Sequence, residues 1–297
     1  MLRLTQERFF NMIVAVVTDS ACGMSHLNIK MEGLYMIPLQ ITDGVDNYLE
    51  GVNITNDQCY QMMFMGKHMK SSQPSYGQIE ELFVSLKKEY DHIYAVPLGK
   101  GLSSTLNTMA LIAREVDVPF TGLDCFSMAN IELVCAMTAR KLFDKGMSVE
   151  EVDRIVRDMA DHSISLIMAE DLQLFARNGR TTALAATIGG FLNIKPVLVI
   201  RKETEGRIDI LEKLRTVHKA FKFIVDEFER FGVDENYEFC IGHAWSKENA
   251  ELLESMIRER FPKSKLYVTE LICSGGVNAG LGCVATQAIK IPNIVLE

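Results

Sequence analysis

The residues best suited to hold an anion lie in one short run of glycine and hydroxyl side chains, Gly101-Leu102-Ser103-Ser104-Thr105. The preceding run, 91–96, has the length and apolar composition of a β-strand, and apolar residues recur at helical spacing from Leu106 onwards. The run is therefore predicted to be a turn at the N-terminus of a helix. Free backbone N–H groups and the positive end of the helix dipole meet at such a turn, which favours an anion. The same residues also fit a plain helix cap with no ligand.

A second hydroxyl-rich run, Ser71-Ser72-Gln73-Pro74-Ser75, precedes another predicted helix. Ser75 and Gln78 have the spacing of a capping box, so this run is also predicted to open a helix. Two aspartates, Asp19 and Asp124, follow predicted strands and have the chemistry of an acid, a base, a metal ligand or a helix cap. From these residues alone, an enzyme and a binding protein are equally supported.

Motifs that would indicate a familiar enzyme are missing from the sequence. The six histidines form neither H-x-H nor H-E-x-x-H, and none lies near a cysteine at zinc-binding spacing. Gly101-Leu102-Ser103 lacks the second glycine of a G-x-S-x-G nucleophile turn, and Lys100 stands in the wrong register for a phosphate-binding P-loop. The sequence therefore predicts neither a metal nor a cofactor.

The elements that position these residues fall into two patterns. Strands and helices alternate through the first half, which predicts a largely parallel α/β sheet in a first domain, residues 1–162. From residue 163 the pattern predicts, in order, a strand over 163–169, a short helix over 171–176, a turn over 177–180, an apolar helical run over 182–192, a β-hairpin over 195–211, and helices and strands up to a glycine-rich turn, Ser274-Gly275-Gly276. These elements predict a second, α+β domain, residues 163–297. The predicted fold class is α/β with two domains.

The composition, with 48% hydrophobic and 24% charged residues, is that of a soluble globular protein. The net charge of −8 argues against a surface for nucleic acid or for an anionic membrane, since either requires basic patches. The apolar run Ile13–Val17 is too short for a signal-peptide core or a membrane-spanning helix. The seven cysteines are odd in number and include no C-x-x-C, which indicates reduced thiols and a cytoplasmic protein.

Six short motifs follow one another in an order that resembles the DegV family of bacterial fatty-acid-binding proteins, over nearly the whole chain beyond about residue 12. These motifs are Thr18-Asp19-Ser20, Ser71-Ser72-Gln73-Pro74-Ser75, Gly101-Leu102-Ser103-Ser104-Thr105, Asn178-Gly179-Arg180, Asn193-Ile194-Lys195-Pro196-Val197-Leu198 and Lys213-Leu214-Arg215-Thr216. The resemblance implies a two-domain protein that buries one long-chain fatty acid between its domains. It also implies that some members present the acid to a fatty acid kinase subunit and do no chemistry themselves.

The resemblance assigns roles to particular residues of this chain. It implies that the hydroxyls of Ser71 and Ser103, each expected at a helix N-terminus, hold the carboxylate. The further predicted ligand contacts are Ser72, Thr105, Arg180 and Gly275. The small apolar run 183–191 and the neighbouring strands are predicted to wall the acyl tail.

The chain departs from the family pattern at three places. Ser71 replaces the usual threonine, and Ser104 replaces a glycine of the G-L-S-G-T motif. The late H-x-G-P-G turn is replaced by residues 274–280, which contain no histidine. If the family's histidine is required for presenting the acid to a kinase, this departure predicts a protein that binds lipid without serving phosphorylation. The rival hypotheses are an enzyme acting on a small carboxylated or phosphorylated substrate in the same crevice, and an interaction module in which the acid only fills the structure.

Overall fold

The strands and helices below come from a computed structural model, which describes residues 12–170, 174 and 194–292. The strands are Val14–Asp19 (β1), Leu34–Ile37 (β2), Gln40–Thr42 (β3), Asn47–Leu49 (β4), Lys70–Ser72 (β5), His92–Ala95 (β6), Phe120–Gly122 (β7), Ile164–Met168 (β8), Lys195–Ile200 (β9), Asp209–Leu214 (β10), Tyr237–His243 (β11), Lys265–Glu270 (β12) and Val284–Lys290 (β13). The helices are Asn56–Phe64 (α1), Tyr76–Leu86 (α2), Thr105–Glu115 (α3), Asn130–Asp144 (α4), Val149–Asp161 (α5), Val217–Phe231 (α6), Lys247–Arg260 (α7) and Cys273–Ala279 (α8).

The first half of the chain forms a four-stranded sheet of order β2-β1-β6-β7, in which all neighbouring strands are parallel. Side chains alternate across β1, so Val14 and Val16 join one core with α4 and α5. Ala15 and Val17 join a second core with α2 and α3 on the opposite face. Because both faces are covered, the central strand is continuously apolar, which is why the sequence predicts a buried parallel strand here. The predicted parallel α/β sheet is confirmed.

The second half forms a six-stranded mixed sheet of order β10-β9-β8-β13-β11-β12. Its neighbours are antiparallel except β11 and β12, which run parallel. Helices α6 and α7 cover one face through a core that includes Phe221, Phe228 and Phe239. Strand β13 was not predicted from the sequence, because its residues do not alternate between apolar and polar and five of the seven are buried. The α+β character of the second half is confirmed.

A small antiparallel sheet of order β4-β3-β5 was not predicted either. It places Lys70–Ser72 in an edge strand, and helix α8 packs against both β5 and α1. Residues 274–276 lie inside α8, so the predicted glycine-rich turn is wrong. The buried face of α8, with Cys273 and Val277, shares a core with Ile41 of β3. Segments far apart in the chain therefore meet here.

The limits of the domains, 1–162 and 163–297, remain a prediction. The predicted helix over 171–176, the turn over 177–180 and the apolar run over 182–192 lie outside the described residues, apart from residue 174. Within the described ranges, no helix has the length and apolar character needed to cross a membrane.

Candidate functional site

A cavity lies between the four-stranded and the six-stranded sheet. On one side its lining comes from the segments that follow β1, β6 and β7, including Gly23, Leu98 and Met128. This is the carboxyl edge of the parallel sheet, where ligands of open α/β sheets usually bind. The cavity volume is about 110 Å³, which is several times the volume that one water molecule needs.

The six-stranded sheet supplies the opposite wall through the alternation of its strands. In β8, Ser165 and Ile167 line the cavity, whereas Ile164 and Leu166 pack beneath α6 in the opposite core. In β13, Ala285 and Gln287 line the cavity in the same way. One face of this sheet is therefore a core, and the other faces the cavity.

Most of the wall between the two sheets is aliphatic. Leu98 and Leu102 from the first half and Ile167, Ile200 and Leu271 from the second half line the cavity and belong to one hydrophobic cluster. Such a surface binds hydrocarbon because burial of CH₂ groups is favourable and requires no hydrogen bonds. The cavity is suited to an apolar chain.

Ser71 lies on this cavity, but not at a helix N-terminus as predicted. It is half-buried on β5, where it stands opposite Ile41 of β3. The helix begins later, because Ser75 and Gln78 form the capping box that opens α2. Ser71 is therefore positioned by strand pairing. Its neighbour Ser72 also lines the cavity but is exposed.

Ser103 lies just before α3, at the predicted turn. Its Oγ is 2.8 Å from Oγ1 of Thr105 and accepts a hydrogen bond of 3.2 Å from the Thr105 N–H. Ser104 stands at the N-cap of α3 without a side-chain capping bond. Ser103 is half-buried and lines the cavity, whereas Thr105 is fully buried and is not among the described lining residues. Thr105 thus holds Ser103 in place.

The two serine segments are tied together beside the cavity. Gln73 lines the cavity, and its Nε2 donates a hydrogen bond of 3.2 Å to Oγ1 of Thr108 in the first turn of α3. The segment that carries Ser71 is therefore fastened to the helix that follows Ser103. The structure brings both predicted head-group serines to one cavity.

Helix α8 contributes Ser274, Gly275 and Asn278 to the cavity lining. The predicted contact Gly275 is thus placed at the site. Nδ2 of Asn278 donates to Oγ of Ser71 at 3.0 Å and to the carbonyl oxygen of Ser274 at 2.7 Å. Asn278 was not predicted as a site residue, because its contact with Ser71 spans 207 positions of the chain.

Gly276 allows α8 to approach α1 closely. A Cβ at Gly276 would overlap the ring of Tyr60 and lie 2.7 Å from its Oη. Tyr60 is fully buried, and its hydroxyl donates to the carbonyl oxygen of Leu271 at 2.5 Å. The absence of a side chain at Gly276 therefore sets the position of α8.

A buried carboxylate, Glu50, anchors the first turn of α8. Its Oε1 accepts from the Ser274 N–H at 2.5 Å. Its Oε2 accepts from Ser20 Oγ at 2.6 Å and from Ser274 Oγ at 3.0 Å. Burial raises the pKa of Glu50, while these hydrogen bonds act in the opposite direction. Nothing in the local sequence around Glu50 predicts this role.

Asp19, for which the sequence left open an acid, a base, a metal ligand and a helix cap, is a helix cap. Its carboxylate accepts from the Ala21 N–H at 2.9 Å and from the Leu98 N–H at 3.0 Å, which caps the short 3-10 helix Ser20–Cys22. Complete burial raises the pKa of Asp19 to about 7. Burial first, and then the charge of Asp19, raise the pKa of nearby Glu132 well above its usual range.

Asp124 has a similar local role. Its Oδ1 accepts from the Lys100 N–H at 3.2 Å and from the Phe126 N–H at 3.0 Å. The described lining residues include neither Asp19 nor Asp124. In the part of the chain that the structure covers, no three His, Cys, Asp or Glu side chains are grouped to hold a metal ion. Arg180, another predicted contact, lies outside the described residues.

Comparisons with known proteins cover nearly the whole chain. The family model described as "Uncharacterised protein, DegV family" matches residues 13–290. A DegV domain-containing protein of Caldanaerobacter subterraneus subsp. tengcongensis is 28% identical over 272 residues, which cover 90% of this chain and 95% of the relative.

Solved structures show the same fold. A fatty acid binding DegV family protein from Streptococcus agalactiae has a TM-score of 0.87 at 24% identity, over 95% of this chain and 100% of that chain. DegV, a fatty acid binding protein from Bacillus subtilis, has a TM-score of 0.81 at 25% identity, again over 95% of this chain and 100% of that chain.

Proposed function

Because the chain belongs to the DegV family, as its six sequence motifs predict, we propose that it binds one long-chain fatty acid in the cavity between its two sheets. The observation that carries the proposal is one cavity that is lined both by aliphatic side chains and by Ser71 and Ser103. Two structural relatives described as fatty acid binding support the ligand class.

The tail supplies most of the affinity. Each buried CH₂ contributes about 0.8 kcal/mol, so a long acyl chain contributes on the order of 10 kcal/mol before the entropic costs of binding. Ile167 and Ile200 on the six-stranded sheet and Leu98 and Leu102 opposite them form the described part of the tail wall. The run 183–191, predicted to complete this wall, lies outside the described residues.

The hydroxyls fix the orientation of the acid. A carboxylate accepts hydrogen bonds only, and each hydroxyl donates one at a gain of roughly 1.5–3 kcal/mol before desolvation. The described lining contains neither lysine nor arginine. Ser71 and Ser103, the hydroxyls that the family resemblance assigns to the carboxylate, are the proposed donors. Arg180 stays a predicted ligand contact, and it would bring a positive charge.

We propose that the protein carries the acid without transforming it. The two carboxylates that the enzyme hypothesis requires, Asp19 and Asp124, are engaged by backbone N–H groups away from the described cavity lining. Presentation of the bound acid to a fatty acid kinase subunit, and a cytoplasmic location, stay predictions from the sequence.

Binding of oleic acid to delipidated protein tests the proposal. Ser71→Ala and Ser103→Ala should each weaken binding about 10- to 150-fold, because each removes one charge-assisted hydrogen bond. Ser85→Ala, an exposed serine of α2, is the matched control and should bind as the wild type does. Unchanged affinity in both site variants would refute the assignment of the head group.

Exchange of the bound acid distinguishes a carrier from an interaction module in which the acid only fills the structure. A carrier should exchange bound oleic acid for isotopically labelled oleic acid and remain folded after delipidation. A chain that unfolds when delipidated and never exchanges its acid would instead support a purely structural ligand.

A further inference from the structure

Asn278 lies beside Ser71 at the cavity. Its Nδ2 donates to Ser71 Oγ at 3.0 Å, and both side chains line the cavity. A serine hydroxyl has one proton to donate and two lone pairs with which to accept. Because Asn278 occupies a lone pair of Ser71 Oγ, the Ser71 proton is left to be donated elsewhere.

The Asn278 amide is itself held in place. The same Nδ2 donates to the carbonyl oxygen of Ser274 one helical turn earlier, at 2.7 Å. Ser274 in turn is held by Glu50, through its N–H at 2.5 Å and its Oγ at 3.0 Å. Because the Ser274 carbonyl oxygen can only accept, the amide of Asn278 must turn its nitrogen toward it. The same nitrogen then donates to Ser71 Oγ.

We infer that Asn278 is a specificity-determining residue that makes the head-group site select an ionised carboxylate over a neutral alcohol of the same chain length. This inference rests on the fatty-acid-binding function proposed above. With Asn278 as donor, Ser71 donates its own proton into the cavity, and a carboxylate is the group that only accepts. An alcohol gains less, because its oxygen carries no charge to strengthen the bond.

Asn278→Asp reverses the direction of this hydrogen bond while keeping nearly the same shape. At pH 8 the introduced carboxylate accepts the Ser71 proton, so Ser71 presents only a lone pair to the ligand. It also places a negative charge beside the ligand carboxylate. A fatty alcohol, which can donate to Ser71, should still bind.

Binding of oleic acid and of oleyl alcohol to delipidated protein at pH 8 tests the inference. Asn278→Asp should lower the acid-to-alcohol affinity ratio about 100-fold, and Asn278→Ala should lower it about 10-fold. Asn249→Asp is the matched control: its Nδ2 donates to Ser246 Oγ at 2.9 Å, and neither residue is in the described lining. Its ratio should equal that of the wild type.

The outcomes separate this inference from the proposed function. A wild-type protein that binds neither oleic acid nor oleyl alcohol would refute both. Oleic acid binding that falls with Ser71→Ala, together with a wild-type affinity ratio in folded Asn278→Asp, would overturn only the role of Asn278. If Asn278→Asp does not fold, Asn278→Ala is measured instead, and a wild-type acid-to-alcohol affinity ratio in Asn278→Ala overturns the inference.

Discussion

Glu50 joins the end of β1 to helix α8, and its removal should measurably loosen α8. Glu50→Ala leaves the Ser274 N–H and the hydroxyls of Ser20 and Ser274 without their acceptor, all in a buried region. Hydroxyls can rotate toward another acceptor, but the backbone N–H cannot. One buried N–H without an acceptor costs about 1–3 kcal/mol. Removal of the buried Glu50 charge offsets part of the cost of the lost hydroxyl hydrogen bonds. We expect a loss of about 2–4 kcal/mol.

Glu50→Gln is the variant to compare with Glu50→Ala. Its carbonyl oxygen can still accept from the Ser274 N–H, and its amide can donate to a serine hydroxyl, so the expected loss is about 1 kcal/mol or less. Glu80→Ala, at an exposed position of α2, should change stability by less than about 0.5 kcal/mol.

Urea unfolding of delipidated protein gives the free energies for these variants, and hydrogen exchange of residues 273–279 localises the effect. Delipidated protein is required because bound ligand adds its own stabilisation. Faster exchange confined to α8 is the expected pattern for Glu50→Ala. Equal stability of Glu50→Ala and Glu80→Ala, or equal losses in Glu50→Ala and Glu50→Gln, would refute the proposed anchoring.

Three further predictions concern stability. Ser75→Ala removes a capping box and should cost about 1 kcal/mol in urea unfolding, whereas Ser104→Ala, at a cap without a side-chain bond, should cost less than about 0.5 kcal/mol. Gly276→Ala should cost about 1–3 kcal/mol by overpacking against Tyr60; a neutral effect would contradict the close contact. Because the pKa of Asp19 is raised to about 7, the folded chain holds this proton more tightly than the unfolded chain, and the contribution of Asp19 to stability falls as pH rises from about 4 to about 7. The stability of the wild type relative to Asp19→Asn should thus drop by about 2–3 kcal/mol between pH 5 and pH 8, and a constant difference would contradict the raised pKa.

The local pattern of the sequence predicted most of the elements that frame the cavity. The apolar runs and helical spacing around Ser103 give β6 and α3 with the hydroxyl turn between them, as predicted. The hairpin of β9 and β10 was likewise predicted, from two runs with strand-like composition. These features depend on residues close together in the chain, which is where periodicity and capping rules apply.

The remaining features depend on contacts between distant segments. Ser71 lies on a strand because Lys70–Ser72 pairs with β3, and three residues carry too little pattern to predict a strand. Ser274 meets Glu50 across 224 positions, and no local rule identifies that pairing. The run 274–276 is helical, and Gly276 lies against Tyr60, a contact that the glycine-rich sequence alone does not indicate.

Mass spectrometry of the freshly purified protein, under native and then denaturing conditions, tests the central claim most directly. We expect one long-chain fatty acid per chain, released on denaturation and lost from the Ser71→Ala/Ser103→Ala double variant, which should remain folded. An empty wild-type protein that also fails to take up added oleic acid would contradict the fatty-acid-binding account.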